Sequence, residues 1–166
     1  MKKTLLALLI CSPFCLAAAI ADAADAADDR TAVVDMVQQF FDAMTARDVA
    51  GMRAMLTPDG RFYGYREGPD GLQVMRPTHQ QYVDGLAGGD RRLIERFWDP
   101  QVLLHDRMAV VWTPYDLYVD GSFSHCGIDS FSFLKTDEGW KITGIVFSME
   151  PDNCAASPLG PLQDRQ

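Results

Sequence analysis

The stretch from Ala109 to Met149 limits the possible folds more than any other part of this chain. It begins AVVWTPYDLYV (residues 109–119), rich in Val, Trp, Tyr and Thr, which fit a pleated surface. Asp120-Gly121 follows, a dipeptide suited to a two-residue turn with positive φ. Then come FSHCGIDSFSFLK, the polar Thr136-Asp137-Glu138-Gly139, and WKITGIVFSM. Three long strands joined by two tight turns form an antiparallel meander, and the rest of the chain must cover its apolar face. A two-residue first loop pairs Val119 with Ser122, which places Asp116 opposite His125, Trp112 opposite Asp129 and Val110 opposite Phe131. Side chains alternate with period two, so these six share one side of the sheet. The other side then carries Val111, Thr113, Tyr115 and Leu117 against Ser124, Cys126, Ile128 and Ser130. A four-residue second loop adds Phe133, Trp140 and Ile142 to the first side. That side is apolar at one end and holds a histidine between two carboxylates at the other, as a pocket lining would. A one-residue bulge would redistribute these residues.

The chain opens MKKTLLALLICSPFCLAAAIADA: two lysines, an apolar run and small residues. This predicts a secretory signal peptide over residues 1–23, cleaved near Ala21 or Ala23. Ser12-Pro13 interrupts the apolar run, so no membrane anchor is expected. Neither Cys11 nor Cys15 follows a small residue, which argues against lipid attachment. The expected location is the periplasm or the exterior. Cleavage removes Lys2, Lys3 and Asp22, moving the formal net charge from −8 to −9. That acidity argues against nucleic acid or an anionic membrane as partner. The remaining chain suffices for one domain, placed at residues 24–154, with residues 155–166 extended or disordered. Cleavage also leaves Cys126 and Cys154 as an even pair, and in an oxidising compartment a disulfide between them is expected.

In chain order, Ala24–Asp28 reads as short, acidic and frayed. A first helix is expected from about Asp29, capped by Asp28 or Asp29, with Val33, Val37, Phe40, Phe41 and Met44 at helical spacing. Asp48 caps a shorter second helix bearing Met52, Met55 and Leu56. Residues 61–67 and 72–76 form a hairpin around Gly68-Pro69-Asp70-Gly71. Thr78 and Gln81 form a capping box that opens a third helix ending at Gly88-Gly89. Residues 92–104 read as one strand bent at Asp99-Pro100.

The order α-α-β-β-α-β-β-β-β, with Gly139-Trp140-Lys141-Ile142 opening the last strand, resembles the nuclear transport factor 2-like superfamily, which includes ketosteroid isomerase and the SnoaL-like cyclases. The run VWTPYDLYVDGSFSHCGIDSFSFLKTDEGWKI is similar to its exported bacterial "lumazine-binding" branch, in which His-Cys-Gly and a late cysteine recur. The resemblance covers Asp29 to Cys154. It implies an α+β fold, a cone-shaped curved antiparallel sheet wrapped around helices. It implies no single activity, because the superfamily holds both enzymes and binding domains. Ketosteroid isomerase needs a general-base Asp, with a Tyr and a protonated Asp as donors. Its Tyr comes from the first helix, where this chain has Phe40 and Phe41, so steroid isomerisation is not expected.

The leading candidates are His125 as a general base oriented by Asp116, and Asp129 beside Trp112 as a carboxylate in an aromatic pocket. Each also has a structural alternative: a hydrogen-bonded histidine at the sheet rim, a solvated acid, a core tryptophan. Tyr63, Tyr65 and Arg66 lie on the hairpin that covers the cone's mouth in this fold. Glu95 and Arg96 are expected to form a surface ion pair. His79, His105 and His125 lack ligand spacing, so neither metal nor cofactor is expected. Three functions follow: an exported binder of a small hydrophobic or aromatic molecule, using Trp112, Asp116, His125, Asp129, Tyr63 and Tyr65; an isomerase, cyclase or dehydratase using His125; and an interaction module. A homodimer through Tyr115, Leu117, Val119 and Ile128 on the back of the meander is also expected.

Overall fold

The structure, a computed structural model, describes residues 13–152 and 154–162. The elements run α1 (Pro13–Ala46), α2 (Val49–Met55), β1 (Leu56–Gly68), β2 (Gly71–Met75), α3 (His79–Gly88), β3 (Leu93–Phe97), β4 (Gln101–His105), β5 (Met108–Val119), β6 (Ser122–Thr136) and β7 (Gly139–Ser148). The strand expected over residues 92–104 is divided at Asp99, whose φ is 47°, and Pro100, which has no N–H to donate. Both halves stay on one neighbour: β4 pairs with the first part of β5 and β3 with the second.

The seven strands form one curved, unclosed sheet in the order β2-β1-β7-β6-β5-β3, with β4 also on β5. The sheet is mixed rather than wholly antiparallel, because β1 runs parallel to β7, aligning Phe62 with Ile145 and Gly64 with Phe147. Each strand's own sequence is silent on that pairing, since its partner lies at the other end of the chain. The meander itself is as expected: β5 pairs with β6 and β6 with β7, both antiparallel.

α1 packs its stripe against the sheet: Val33, Val37, Phe40, Phe41 and Met44 are all buried in one core with Phe62, Val111, Phe131 and Ile142. Its start differs from the sequence reading. The helix runs from Pro13 through residues 24–28, so neither Asp28 nor Asp29 caps it, and the cleavage sites expected near Ala21 and Ala23 lie within it. The Asp29 carboxylate instead crosses to the second hairpin, accepting from Lys135 Nζ at 2.6 and 2.8 Å and from Trp140 Nε1 at 2.9 Å. These bonds hold its pKa below the usual carboxylate range. The other caps follow the sequence. Asp48 accepts from the Gly51 N–H at 2.9 Å, and Thr78 and Gln81 complete a capping box on α3.

Cys126 of β6 pairs with Glu150 just beyond β7, and Cys154 folds back to form the disulfide with Cys126, their Cα atoms 5.9 Å apart. The chain after it turns at Ser157–Gly160 and lies on the outer side of the sheet, where Gly160 O accepts from Arg96 Nη2 at 3.0 Å.

Candidate functional site

The register of the first hairpin decides what faces inward. Val119 pairs with Ser122 and Tyr118 with Phe123, as a two-residue turn requires, but the next pair is Leu117 with His125. Ser124 is an extra residue on β6, a bulge that shifts all later pairs by one. Tyr115 then lies opposite Gly127, Thr113 opposite Asp129 and Val111 opposite Phe131. The β6 half of the sequence reading keeps its face, so His125, Asp129, Phe131 and Phe133 stand together. The β5 half is inverted: Tyr115, Leu117, Thr113 and Val111 face the helices, and Asp116, Trp112 and Val110 face out. The pairings Asp116–His125, Trp112–Asp129 and Val110–Phe131 are therefore corrected. So is the expected dimer surface, since Tyr115 and Leu117 line the interior.

The concave side holds a cavity of about 180 Å³. Phe40, Phe41 and Met44 of α1 form its floor, Phe62 of β1 and Tyr82 of α3 one wall, and Phe131, Ile145 and Phe147 of the meander another. The Phe62 and Tyr82 rings stack at 4.2 Å, and Phe40 sits edge-on to Phe131 at 5.8 Å. The polar end comes from three strands: Glu95 of β3, Tyr115 of β5, and His125 and Asp129 of β6. Glu95 is the residue that the sequence reading misplaced. It pairs across the sheet with inward-facing Leu117, so its side chain joins the cavity, and only Arg96 faces out. Period two showed this already, because Leu93, Glu95 and Phe97 alternate as an inward row with two apolar neighbours around the acid.

The electrostatics of that end are unusual. Asp129 is 3% exposed, and its Oδ2 has no hydrogen-bond partner. Burial raises its pKa to about 8, against the opposing effect of a hydrogen bond with Glu95. Glu95 is also raised well above the usual carboxylate range, first by burial, then by repulsion from Asp129, by a hydrogen bond with it and by the charge of Asp116. Two carboxyls this close and this dry cannot both ionise, so the pair carries at least one shared proton at neutral pH. Burial likewise raises the Tyr82 and Tyr115 hydroxyls. Tyr115 donates to Ser148 O at 2.6 Å, whereas Tyr82 donates only to the weakly accepting Met44 Sδ at 3.2 Å. Gly127 makes room for the first of these bonds, because a Cβ there would lie 2.2 Å from Ser148 O. His125 lines the cavity beside the bulge, with Nδ1 3.0 Å from Ser124 Oγ. Burial and then the charge of Arg66 lower its pKa, which keeps the imidazole neutral at pH 7.

The remaining expected site residues lie elsewhere. Asp116 is clamped on the outer face by Arg96, Nε to Oδ1 at 2.8 Å and Nη2 to Oδ2 at 2.5 Å, so it cannot orient His125. Trp112 is 49% exposed on that outer face. Tyr63 and Tyr65, 43% and 42% exposed, line a shallow outer groove with Leu72, Val74 and Val146 rather than the cavity mouth. The expected Glu95–Arg96 surface pair does not form, and the bidentate Arg96–Asp116 pair takes its place. Among the described residues, no three His, Cys, Asp or Glu side chains are grouped to hold a metal ion, and no helix is long and apolar enough to cross a membrane.

An unclosed curved sheet around a long helix is the architecture of the nuclear transport factor 2-like superfamily. A sequence profile of the SnoaL-like domain matches residues 33–151, most of the chain, and the protein belongs to that family. Among solved structures, a nuclear transport factor 2-like protein from Cytophaga hutchinsonii superposes with a TM-score of 0.62 at 15% identity, covering 72% of this chain and 97% of its own. A superfamily member from Salmonella enterica serovar Typhimurium gives 0.60 at 13%, covering 78% and 96%. A protein of this superfamily from Streptomyces avermitilis, provisionally described as a dehydratase, gives 0.56 at 17%, covering 70% and 92%. At these identities the likeness establishes the fold. No curated protein matches the chain.

Proposed function

We propose that the protein is exported and binds a small, mostly apolar molecule, one ring in size, in the cavity between α1 and the meander. The observation that carries this reading is the pairing of an aromatic cavity with a single polar end, where the Asp129 Oδ2 lacks a partner. A space of about 180 Å³ slightly exceeds the roughly 150 Å³ apolar cavity that accommodates benzene. Apolar walls supply affinity, and a few convergent polar groups set orientation. The leader-like N-terminus supports export, and the Cys126–Cys154 disulfide is compatible with an oxidising compartment.

A second reading has one observation in its favour. A carboxyl pair that keeps a proton at neutral pH can deliver it, and neutral His125 lines the same cavity as a base. Proton transfer of the isomerase or dehydratase sort would use these groups, with Glu95 and Asp129 in the place the sequence reading gave to Asp116.

The test is native mass spectrometry of the purified protein, followed by an NMR titration with toluene and benzyl alcohol. Binding with one-to-one stoichiometry, and shifts concentrated at Phe62, Tyr82, Tyr115 and Phe131, is the expected result. Shifts confined to the outer groove around Tyr63 and Tyr65, or no saturable binding, would overturn the reading.

A further inference from the structure

The geometry points to a ligand that is a protonated amine on a single ring, its ammonium seated between Glu95 and Asp129 and its ring among Phe40, Phe62 and Phe131. This rests on the binding reading above and narrows it to a chemical class.

The hydrogen-bonding capacity of the polar end is the first reason. Glu95 and Asp129 stand side by side at the polar end, and neither they nor the other lining residues bring a positive charge to it. What faces the cavity is acceptor capacity, including the buried and unpartnered Asp129 Oδ2. A ligand that brings only a carbonyl oxygen leaves that acceptor unsatisfied. A ligand that brings N–H donors satisfies it, and an ammonium brings three.

Charge is the second. Among the described residues that line the cavity there is no lysine and no arginine. Arg96, the nearest arginine along the chain, is turned outward and held by Asp116. Anionic ligands would therefore meet two carboxyls and no cationic side chain in the lining. A cation meets two carboxyls whose mutual repulsion it relieves. The other titratable groups lining the cavity are Tyr82 from α3, Tyr115 from β5 and His125 from β6, all neutral at pH 7; from outside the lining the Asp116 carboxylate acts on Glu95 and the Arg66 guanidinium on His125. The walls are the third reason. An aromatic enclosure accepts a cation through ring electrons and packs the attached ring by area.

Binding involves no covalent step. The amine arrives already protonated, and the proton held by the carboxyl pair leaves to buffer as the ammonium takes its place.

The test compares benzylamine with benzyl alcohol, of nearly the same size and shape, by isothermal titration calorimetry at pH 7.5 and pH 4.5. The pH 7.5 runs use both phosphate and Tris. At pH 7.5 benzylamine should bind at least tenfold more tightly than benzyl alcohol. Its enthalpy should differ between the two buffers, reporting proton release, and its advantage should shrink at pH 4.5, where the pair is protonated. Asp129→Asn should erase the preference while benzyl alcohol still binds; Glu95→Gln serves the same purpose if Asp129→Asn does not fold by circular dichroism. Benzyl alcohol binding as tightly as benzylamine, or a buffer-independent enthalpy, would overturn the amine assignment and leave the cavity reading standing. Failure of both probes to bind would overturn the cavity reading itself.

Discussion

Asp129→Asn should make the protein more stable at neutral and alkaline pH, an unusual outcome for a substitution at a residue only 3% exposed. In the unfolded chain Asp129 titrates near 4, whereas in the folded protein burial raises it to about 8. A group whose pKa rises on folding adds stability below its unfolded pKa, and that stability is lost as pH rises through the folded value. Four pH units at about 1.4 kcal/mol each set a ceiling of roughly 5–6 kcal/mol. Sharing of the proton with Glu95, and access through the cavity, reduce this to about 2–3 kcal/mol. Asparagine keeps the shape, carries no charge and can donate its amide to Glu95. The variant should match or fall slightly below the parent at pH 4.5 and exceed it by about 2–3 kcal/mol at pH 8, equivalent to roughly 5–10 °C in Tm. Urea unfolding of both proteins at several pH values between 4.5 and 8.5 measures the difference, and its trend cancels the titration of every group not coupled to Asp129, leaving that of the Asp129–Glu95 pair. A difference that stays constant with pH would refute the reasoning, because it would mean that Asp129 titrates alike folded and unfolded.

Arg96→Met should destabilise by about 3 kcal/mol, since it strands Asp116, whose side chain is 5% exposed; adding Asp116→Leu should recover most of the loss in denaturant melts. His79 donates Nδ1–H to Thr57 O at 2.7 Å and has a buried Nε2 without a partner, and burial holds its pKa below 6.5 despite that bond and the charge of Asp59. Its folded pKa is depressed, so protonation favours unfolding. Stability should fall as pH drops below about 6.5, and His79→Phe should flatten that acid limb relative to the parent. Cys154→Ser opens the cross-link of sequence separation 28 and should cost about 3–4 kcal/mol. Dithiothreitol should lower the Tm of the parent by the same amount and leave the variant unchanged.

Periodicity and turn chemistry made most of the architecture legible. The Val33–Met44 spacing, the Asp48 and Thr78 caps, and Asp120-Gly121 at the hairpin tip are local signals, and each specifies an element the structure contains. Three features were hidden for different reasons. The parallel pairing of β1 with β7 is a long-range choice that neither strand encodes alone. The extension of α1 back to Pro13 overrode an acidic pair that looked like a cap, because Asp29 has better partners in Lys135 and Trp140, over a hundred residues away. The site was half legible. His125 and Asp129 share the inner face as read, but their β5 partners could be placed only by knowing where Ser124 bulges. Glu95 was visible in the Leu93-Glu95-Phe97 alternation and was passed over because Arg96 beside it suggested a surface pair.

Ser124 also insulates two parts of the first hairpin from each other. Between Val119 and Phe123 the alignment obeys the turn; from His125 onward it obeys the helices beneath. Removing Ser124 would give a regular hairpin in which Leu117 still meets His125, so the interior alignment survives and only the Ser124 Oγ–His125 Nδ1 contact is lost. One residue gained between His125 and Asp129 has no such buffer. It would turn either His125 or Asp129 out of the cavity at a stroke. Descendants of this chain can therefore vary freely in length at the tip, while the few residues below it keep their count.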